Sequence, residues 1–148
     1  MEAQERLVRE FMHSPALTIS SEAGLDRALL IMRTQHIRHL PVVDDDHNLI
    51  GILSSRDLRM SMQEMEKGPS GAAKGYYLPA LTKVRSAMVT SVVKARPEMT
   101  IAEAATIMSE LKIGALPVVD ADGKKVLGII TETDMLRLLA RLLKEKGS

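Results

Sequence analysis

The sequence predicts an α/β (α+β) fold made of two β-α-β-β-α units, packed sheet to sheet with pseudo-twofold symmetry. Two long segments of the 148-residue chain repeat one another, and each contains a helical pattern followed by a pair of strands. The core is expected to be aliphatic, because 45% of the residues are hydrophobic but only 2% are aromatic. One unit of about 60 residues buries little apolar surface alone, so two units are expected to complete the core together.

The repeat is carried by two pairs of motifs. The first copy contains HLPVVD and GILSSRD, and the second contains ALPVVD and GIITETD. Pro41 and Pro117 are 76 residues apart, and an offset of 76 or 77 holds over most of each half, including Met12 and Met88. Such a register indicates an internal duplication. We therefore predict a first repeat at 1–62, a linker rich in turn residues at 63–83, and a second repeat at 84–148.

Each repeat is predicted to open with a short strand and a helix. Apolar residues around Leu17–Ile19 and Val92–Val93 indicate the strand. Apolar residues at i, i+3, i+4 and i+7 then indicate the helix. They are Leu25, Ala28, Leu29 and Met32 in the first repeat, and Ile101, Ala104, Ala105 and Met108 in the second. Thr100 and Glu103 have the spacing of a capping box, which predicts where the second helix begins.

Two strands and a closing helix complete each repeat. The strands begin around Leu40–Val43 and Leu116–Val119, pass through turns at Asp44–Asn48 and Asp120–Lys124, and end at Leu53 and Ile130. The closing helices begin after Ser54 and Thr131, and the second of them covers Met135–Leu143. Its apolar residues are expected to form an exposed stripe that seeks burial. They are Met135, Leu138, Leu139 and Leu142.

The composition argues against several classes of function. Lys and Arg total 20 and Asp and Glu total 19, and this balance lacks the cationic excess of a nucleic-acid platform. The absence of cysteine excludes disulfides and thiolate catalysis, and it fits a reducing cytoplasm. No apolar run approaches the ~20 residues of a membrane span. The N-terminal residues lack a signal-peptide pattern, so we expect a cytoplasmic protein that does not enter a membrane.

Metal and catalytic sites are also disfavoured. His36 and His39 are three residues apart at the start of a strand, where their rings would point to opposite sides. Asp44–Asp46 lies in a predicted hairpin turn and lacks the ligand set of a cation loop. No arrangement of Ser, His and Asp suggests nucleophilic catalysis. We therefore expect no metal site, and a protein that is not an enzyme.

The pattern Ser/Thr-x-x-Asp follows the last strand of each repeat, as Ser54 with Asp57 and as Thr131 with Asp134. In one interpretation the hydroxyl caps the closing helix and the acid interacts favourably with its dipole. In the other, the hydroxyl and free backbone N–H groups bind phosphate, while the carboxylate accepts hydrogen bonds from a ribose. The recurrence of the pattern at matched places favours a ligand, although a single such pattern is more often a cap.

These motifs resemble the cystathionine-β-synthase (CBS) domain, present twice as the pair called a Bateman module. The resemblance rests on the segments 37–44 and 51–57 and on their partners 113–120 and 128–134. It covers nearly the whole chain. A chain made of this pair alone is similar to stand-alone prokaryotic CBS-pair proteins, including those of the acetoin-utilisation type. The resemblance implies two symmetry-related clefts between the repeats, each able to take an adenosine ligand.

The resemblance also implies the residues of each cleft. In the first, Asp57 would bind ribose, and the phosphate set would be Ser54, Arg38, His39 and Arg56. The adenine wall of that cleft would come from Ile101, Ile113 and Gly114. In the second cleft, Asp134 would bind ribose, the phosphate set would be Thr131 and Thr133, and the wall would be Ser20, Leu25 and Ile37.

The two clefts are expected to differ in charge. Arg38-His39 in the first repeat is replaced by Gly114-Ala115 in the second, and Ser55-Arg56 by Glu132-Thr133. Arginine forms charge-assisted hydrogen bonds with phosphate oxygens, whereas a glutamate would repel them. We therefore expect the Asp57 cleft to prefer a phosphorylated ligand. The Asp134 cleft is expected to be empty or to take a less charged adenosine compound.

The favoured function is a regulatory module that binds AMP, ADP or ATP and responds through conformation or association. S-adenosylmethionine and NADH rank below these ligands. The alternative is a ligand-independent assembly module for a partner enzyme or transporter. The resemblance implies a homodimer, and an unidentified effector protein could also take part; no nucleic acid and no membrane are expected as partners.

Overall fold

The computed structural model describes residues 5–64, 76–78 and 81–146. In chain order its elements are α1 (Val8–Phe11), β1 (Ile19–Ser20), α2 (Leu25–Gln35), β2 (His39–Val43), β3 (Leu49–Ser54), α3 (Ser55–Ser61), β4 (Gln63–Glu64), β5 (Tyr76–Tyr77), a 3-10 turn (Val84–Ser86), α4 (Ile101–Leu111), β6 (Ala115–Val119), β7 (Val126–Thr131) and α5 (Glu132–Lys146). The predicted α/β class is confirmed. Of the predicted linker at 63–83, residues 65–75 and 79–80 lie outside the described residues.

The chain forms two compact units, which we name after the acidic residue near the start of each closing helix. The Asp57 unit comprises Leu17–Asp46 and Ile50–Val92. The Asp134 unit comprises Met1–Ala16, His47–Leu49 and Val93–Ser148. Neither unit is a continuous stretch of sequence, so the folded units do not follow the order of the repeats along the chain.

Each unit contains the segment that begins the other repeat. In the Asp134 unit, the Val8 amide donates to the Met99 carbonyl at 2.8 Å. In the Asp57 unit, the Val84 amide donates to the Ala23 carbonyl, also at 2.8 Å. Both valines have no exposed surface. Since Val8 and Val84 hold matched positions in the repeat, one packing scheme serves both units.

The sheet of the Asp57 unit has the order β1-β2-β3. Strand β1 is parallel to β2, with Ile19 opposite Val42 and Ser20 opposite Val43. The Ser21 amide extends this ladder by donating to the Val43 carbonyl at 3.3 Å. Helix α3 follows β3 directly, so the predicted order of strand, helix, two strands and helix is present in this unit.

The sheet of the Asp134 unit pairs β6 with β7 in antiparallel register, from Ala115 opposite Thr131 to Val119 opposite Val126. The strand predicted around Val92–Val93 is wrong: pairing is limited to one parallel bridge, between Ala95 and Val118. Pro97 stands where the first repeat has Ser21. Because proline has no N–H, it cannot donate the hydrogen bond that extends the ladder in the other unit.

Helices α2 and α4 occupy matched positions and end in the same way. His36 and Lys112, the residues after them, both adopt left-handed backbone with φ of 55°. Their beginnings differ. The Glu103 amide donates to the Thr100 hydroxyl at 3.1 Å, which confirms the predicted start of α4, whereas Gly24 precedes α2 without a side-chain cap.

Each unit has an aliphatic core of its own, and none of the buried core residues that the structure describes is aromatic. The buried residues of the Asp57 unit are Ile19, Leu25, Ala28, Met32, Leu40, Val42, Leu53, Leu58 and Val84. Those of the Asp134 unit are Val8, Ala95, Ala104, Met108, Leu116, Val118 and Ile130. The helical residues in these sets include three of the four predicted from spacing in the first repeat and two of the four in the second.

The hairpin turns between the paired strands both need a left-handed residue. Gly123 fills this role in one hairpin with φ of 73°, and His47 fills it in the other with φ of 65°. Glycine adopts this conformation without a steric penalty, and histidine does so at some cost. The turn after β6 therefore has the residue type that this backbone conformation favours.

Helix α5 presents a different apolar stripe from the predicted one. Leu138 is buried and Met135 packs against the core of the Asp134 unit, whereas Leu139 is exposed as expected. Leu136 and Leu143 join Leu139 on the outer side, at 65% and 60% exposure. The prediction was wrong for Met135 and Leu138 because they are the residues that fasten the helix to its own unit.

Candidate functional site

The start of α3 is held by a reciprocal cap between Ser54 and Asp57. The Ser54 amide and hydroxyl donate to Asp57 Oδ2 at 2.8 and 2.9 Å, and the Asp57 amide donates to the Ser54 hydroxyl at 3.1 Å. One carboxylate oxygen and the hydroxyl are therefore committed to the helix itself. The interpretation of this motif as a helix cap is therefore confirmed.

The start of α5 repeats this geometry. The Thr131 amide and hydroxyl donate to Asp134 Oδ2 at 2.8 and 3.0 Å, and the Asp134 amide lies 3.4 Å from the Thr131 hydroxyl. The caps orient both carboxylates in the same way. A ligand hydroxyl would therefore donate its hydrogen bond mainly to the second oxygen, Oδ1.

The two motifs differ at this second oxygen. His13 Nε2 lies 2.9 Å from Asp134 Oδ1, and the Asp134 side chain is only 5% exposed. Within the described part of the chain, Asp57 Oδ1 has no hydrogen-bond or ion-pair partner, and Asp57 is partly exposed. The Asp57 motif thus presents a free acceptor, and the Asp134 motif presents one that is already engaged.

His13 is brought to Asp134 by backbone pairing with β7. His13 and Ile129 exchange two hydrogen bonds, at 2.9 and 3.0 Å. In the Asp57 unit, Val89 and Ile52 exchange the equivalent pair, both at 2.9 Å. Each of these isoleucines precedes its aspartate by five residues. Residues 13 and 89 are therefore structural equivalents, one a histidine and the other a valine.

Two strand glycines make this pairing possible. A Cβ at Gly51 would lie 2.6 Å from Met88 Sδ and 3.1 Å from the Val89 carbonyl oxygen. A Cβ at Gly128 would lie 2.6 Å from the His13 carbonyl oxygen. Because both approaches are closer than ordinary van der Waals contact, glycine is needed at this point of each repeat.

Arg38 and Arg56 belong to the segments that meet at the start of α3. The Arg38 carbonyl accepts a hydrogen bond from the Ser55 amide at 2.8 Å, which places residue 38 beside the first turn of α3. Both arginine side chains are exposed, and neither makes an ion pair among the residues that the structure describes. His39 is half-buried at the start of β2. The predicted phosphate set therefore gathers in one unit.

The matching position in the Asp134 unit carries no cation. The Gly114 carbonyl accepts from the Glu132 amide at 3.0 Å, as Arg38 does from Ser55. Glu132 and Thr133 are both exposed in the first turn of α5. The charge difference predicted from the sequence is thus present at equivalent places of the fold.

The predicted adenine walls divide between the units. In the Asp57 unit, Ile37 is half-buried, Ser20 is exposed and Leu25 has no exposed surface. In the Asp134 unit, Ile101, Ile113 and Gly114 are half-buried. Each wall was predicted to contact a ligand bound at the aspartate motif of the other unit, and this stays a prediction.

Glu22 and the segment that begins the second repeat form an ion pair in the Asp57 unit. Lys83 Nζ lies 2.7 Å from Glu22 Oε2, and Arg85 Nε lies 3.7 Å from the same oxygen. The hydrogen bond from Lys83 lowers the pKa of the Glu22 carboxyl below its ordinary value, and Arg85 acts in the same direction. This pair is on the surface and helps to fasten the exchanged segment.

Sequence reasoning identified the caps and the arginines but missed His13. The match of Met12 with Met88 aligns His13 with Val89, which marks a difference between the repeats but does not place His13 near Asp134. Across the described residues, no group of three or more His, Cys, Asp or Glu side chains could hold a metal ion. The same residues include no helix long and apolar enough to cross a membrane.

Comparison with known proteins identifies the repeat. The CBS domain family matches residues 8–64 and 84–141. A CBS domain-containing protein of Dictyostelium discoideum is 34% identical over 148 aligned residues, covering 93% of this chain and 94% of the relative. A homoserine O-acetyltransferase of Methanohalobium evestigatum is 33% identical, but the match covers only 24% of that enzyme.

Solved structures agree with this assignment. A putative acetoin utilization protein from Vibrio cholerae is 30% identical, with a TM-score of 0.77 and 98% of each chain covered. The CBS domain pair of protein MJ0100, in complex with 5-methylthioadenosine and S-adenosyl-L-methionine, has a TM-score of 0.76 at 28% identity, covering 93% and 98%. CBSX2 in complex with AMP has a TM-score of 0.71 at 26% identity, with the same coverage.

Proposed function

Because this chain belongs to the CBS domain family, we propose that it is a non-catalytic regulatory module that binds an adenosine nucleotide. Binding would be reported through a change in conformation or association, which requires the ligand to favour one state over another. The observation that carries the proposal is Asp57 Oδ1, which the cap orients and which has no partner among the described residues, in a unit where Arg38 and Arg56 are both exposed.

The ribose contact follows from the geometry of the cap. Asp57 Oδ2 already accepts two hydrogen bonds from Ser54, so the carboxylate cannot rotate without losing the cap. Its Oδ1 is left as an acceptor for a vicinal hydroxyl of a ribose. The structures of MJ0100 and CBSX2 with adenosine compounds support a ligand of this class for the fold.

The phosphate preference follows from the charges beside the cap. Arg38 and Arg56 supply guanidinium groups suited to phosphate oxygens, and Ser54 adds a hydroxyl. AMP, ADP and ATP therefore rank above S-adenosylmethionine and NADH at the Asp57 motif. The Asp134 motif lacks the arginines and has Glu132 in the first turn, which disfavours a phosphorylated ligand.

We further propose a homodimer in which α5 contributes to the interface. Leu136, Leu139 and Leu143 recur on one exposed side of the helix, and apolar stripes of this kind favour association. The same stripe supports the alternative function, a ligand-independent assembly module for a partner enzyme or transporter. The absence of cysteine from the whole sequence favours action in the cytoplasm.

A thermal-shift panel with AMP, ADP, ATP, S-adenosylmethionine and NADH separates the two functions. A ligand at 100 times its Kd stabilises the folded state by about 2.7 kcal/mol. That corresponds to several degrees in Tm for a chain of this size. A response to adenine nucleotides is expected, and a flat panel would overturn the nucleotide proposal in favour of the assembly module.

Asp57→Asn assigns the response to the motif. Asparagine keeps an oxygen for the cap but puts an amide donor in place of the free Oδ1 acceptor, so the AMP response should be lost while the protein stays folded. Asp134→Asn is the matched control and should keep the response. Arg38→Ala and Arg56→Ala should weaken AMP more than adenosine; equal effects on both ligands would remove the phosphate role.

A further inference from the structure

We propose that His13 determines which of the two motifs takes the nucleotide, by holding Asp134 Oδ1 and so keeping that carboxylate from a ribose. This inference rests on the proposed function, and it adds a residue outside every predicted site. His13 Nε2 to Asp134 Oδ1 measures 2.9 Å, well within hydrogen-bond range. The imidazole can donate this hydrogen bond in its neutral Nε2–H form as well as when protonated.

Both oxygens of the Asp134 carboxylate have hydrogen-bond partners. Its Oδ2 accepts two hydrogen bonds from Thr131, and its Oδ1 faces His13. At 5% exposure the side chain has little contact with solvent through which a hydroxyl could reach it. A ribose at this position would therefore have to displace the imidazole, and the lost hydrogen bond would count against binding.

The Asp57 carboxylate lacks this competitor for a single reason, the identity of residue 89. Val89 pairs with Ile52 through the same two backbone hydrogen bonds that join His13 to Ile129. The valine side chain has no donor and is 46% exposed. Since the backbone of the two units is equivalent here, a histidine at position 89 would be directed at Asp57 as His13 is at Asp134.

The His13 imidazole is accessible to solvent. Its contact with Asp134 Oδ1 therefore lowers the affinity of this motif for a ribose but does not block the motif permanently. The His13 side chain is 61% exposed, so it can swing away from Asp134 without unfolding the unit. A hydrogen bond to a charged group contributes enough to change affinity by about tenfold or more. The motif with the histidine is thus the weaker one, and the motif with the valine is filled first.

Exchanging residues 13 and 89 tests the proposal on the full chain. Isothermal titration calorimetry with AMP should give one site per wild-type chain. His13→Val should give a second, weaker site, since Asp134 Oδ1 is released while that motif still lacks the arginines. Val89→His should weaken the original site by about tenfold, and in the double exchange the new site should be lost on Asp134→Asn while the weakened one is lost on Asp57→Asn.

His13→Gln is the matched control, because glutamine keeps an N–H donor of similar reach and should preserve the single site. Two sites in that variant would overturn the role of the hydrogen bond. A single site in His13→Val would overturn the proposal, and so would weaker binding of AMP in that variant, which would mean that His13 holds the ligand.

The failure of this inference can be distinguished from failure of the proposed function. If wild-type chain binds two AMP molecules with similar affinity, the nucleotide function stands and the selection by His13 is wrong. If neither the wild-type chain nor His13→Val binds any adenosine compound of the panel, the nucleotide function itself is wrong.

Discussion

The Asp57 and Asp134 units share a backbone hydrogen-bonding pattern, but the aspartate carboxylates near the start of their closing helices differ in their surroundings. Each unit contains a strand that pairs with a segment from the other repeat, and a reciprocal Ser/Thr-Asp cap at the start of the closing helix. The Asp57 carboxylate has one oxygen without a partner among the described residues, in a unit that carries Arg38 and Arg56, whereas His13 contacts the corresponding oxygen of Asp134, which follows an acidic residue in the first turn of α5. The comparison shows that two duplicated units can keep the same structural cap while the second oxygen of the aspartate is engaged in only one of them, as far as the described residues go.

The largest effects are expected from the two cores, where the units should behave alike. Leu40 and Leu116 are matched residues, and both are wholly buried. Replacing either with alanine should lower the free energy of unfolding by about 2–5 kcal/mol, since each leaves a cavity. Urea denaturation measures this loss. A change below about 1 kcal/mol in one variant only would show that the two cores are not equivalent.

The strand glycines should reveal a smaller and unequal effect. Gly128→Ala would place a Cβ against the His13 carbonyl oxygen, a backbone atom that cannot move alone, whereas Gly51→Ala meets the flexible end of Met88 first. We expect a loss of about 1–3 kcal/mol for Gly128→Ala and a smaller loss for Gly51→Ala. Denaturation in urea compares them, and the reverse order would contradict the tighter approach at β7.

The two caps should be of similar strength. Ser54→Ala and Thr131→Ala each remove a hydroxyl that accepts a hydrogen bond from the aspartate amide and donates one to Oδ2. Each substitution should therefore lower the free energy of unfolding by about 1 kcal/mol. Circular dichroism during thermal unfolding measures the change in Tm. Unchanged stability in both variants would mean that the two caps share a geometry but do not stabilise the fold.

The smallest effect is expected from the surface pair of Glu22 and Lys83, which the Asp134 unit lacks because Leu7 takes the place of Lys83. The pKa of Glu22 is lowered in the folded state, so its contribution is present above the pKa of the unfolded chain. It is lost as pH falls through the folded-state pKa. Glu22→Gln should therefore lower Tm slightly at pH 7 and leave it unchanged at strongly acidic pH. A larger effect at acidic pH would contradict the sign of the shift.

Local patterns predicted most of the secondary structure. The spacing of Ile101, Ala104 and Met108 predicted α4, and Thr100 marked its start correctly, because a cap and an apolar face are properties of neighbouring residues. The strand predicted around Val92–Val93 was misplaced, since the pairing lies at Ala95. It stays a single bridge because Pro97 cannot donate the hydrogen bond that Ser21 donates at the matched position of the other repeat.

Long-range contacts account for what could not be predicted. The exchange of Val8 and Val84 between units depends on hydrogen bonds to Met99 and Ala23, residues far away in sequence. No composition or periodicity encodes such a contact. The engagement of Asp134 by His13 has the same origin, with more than a hundred residues between the two groups.

A crystal structure of the full chain grown with AMP would show which aspartate contacts the ribose. We expect ribose hydroxyls within hydrogen-bond distance of Asp57 Oδ1, with His13 still in contact with Asp134. A ribose on Asp134 with the imidazole displaced, and no nucleotide on Asp57, would contradict this expectation.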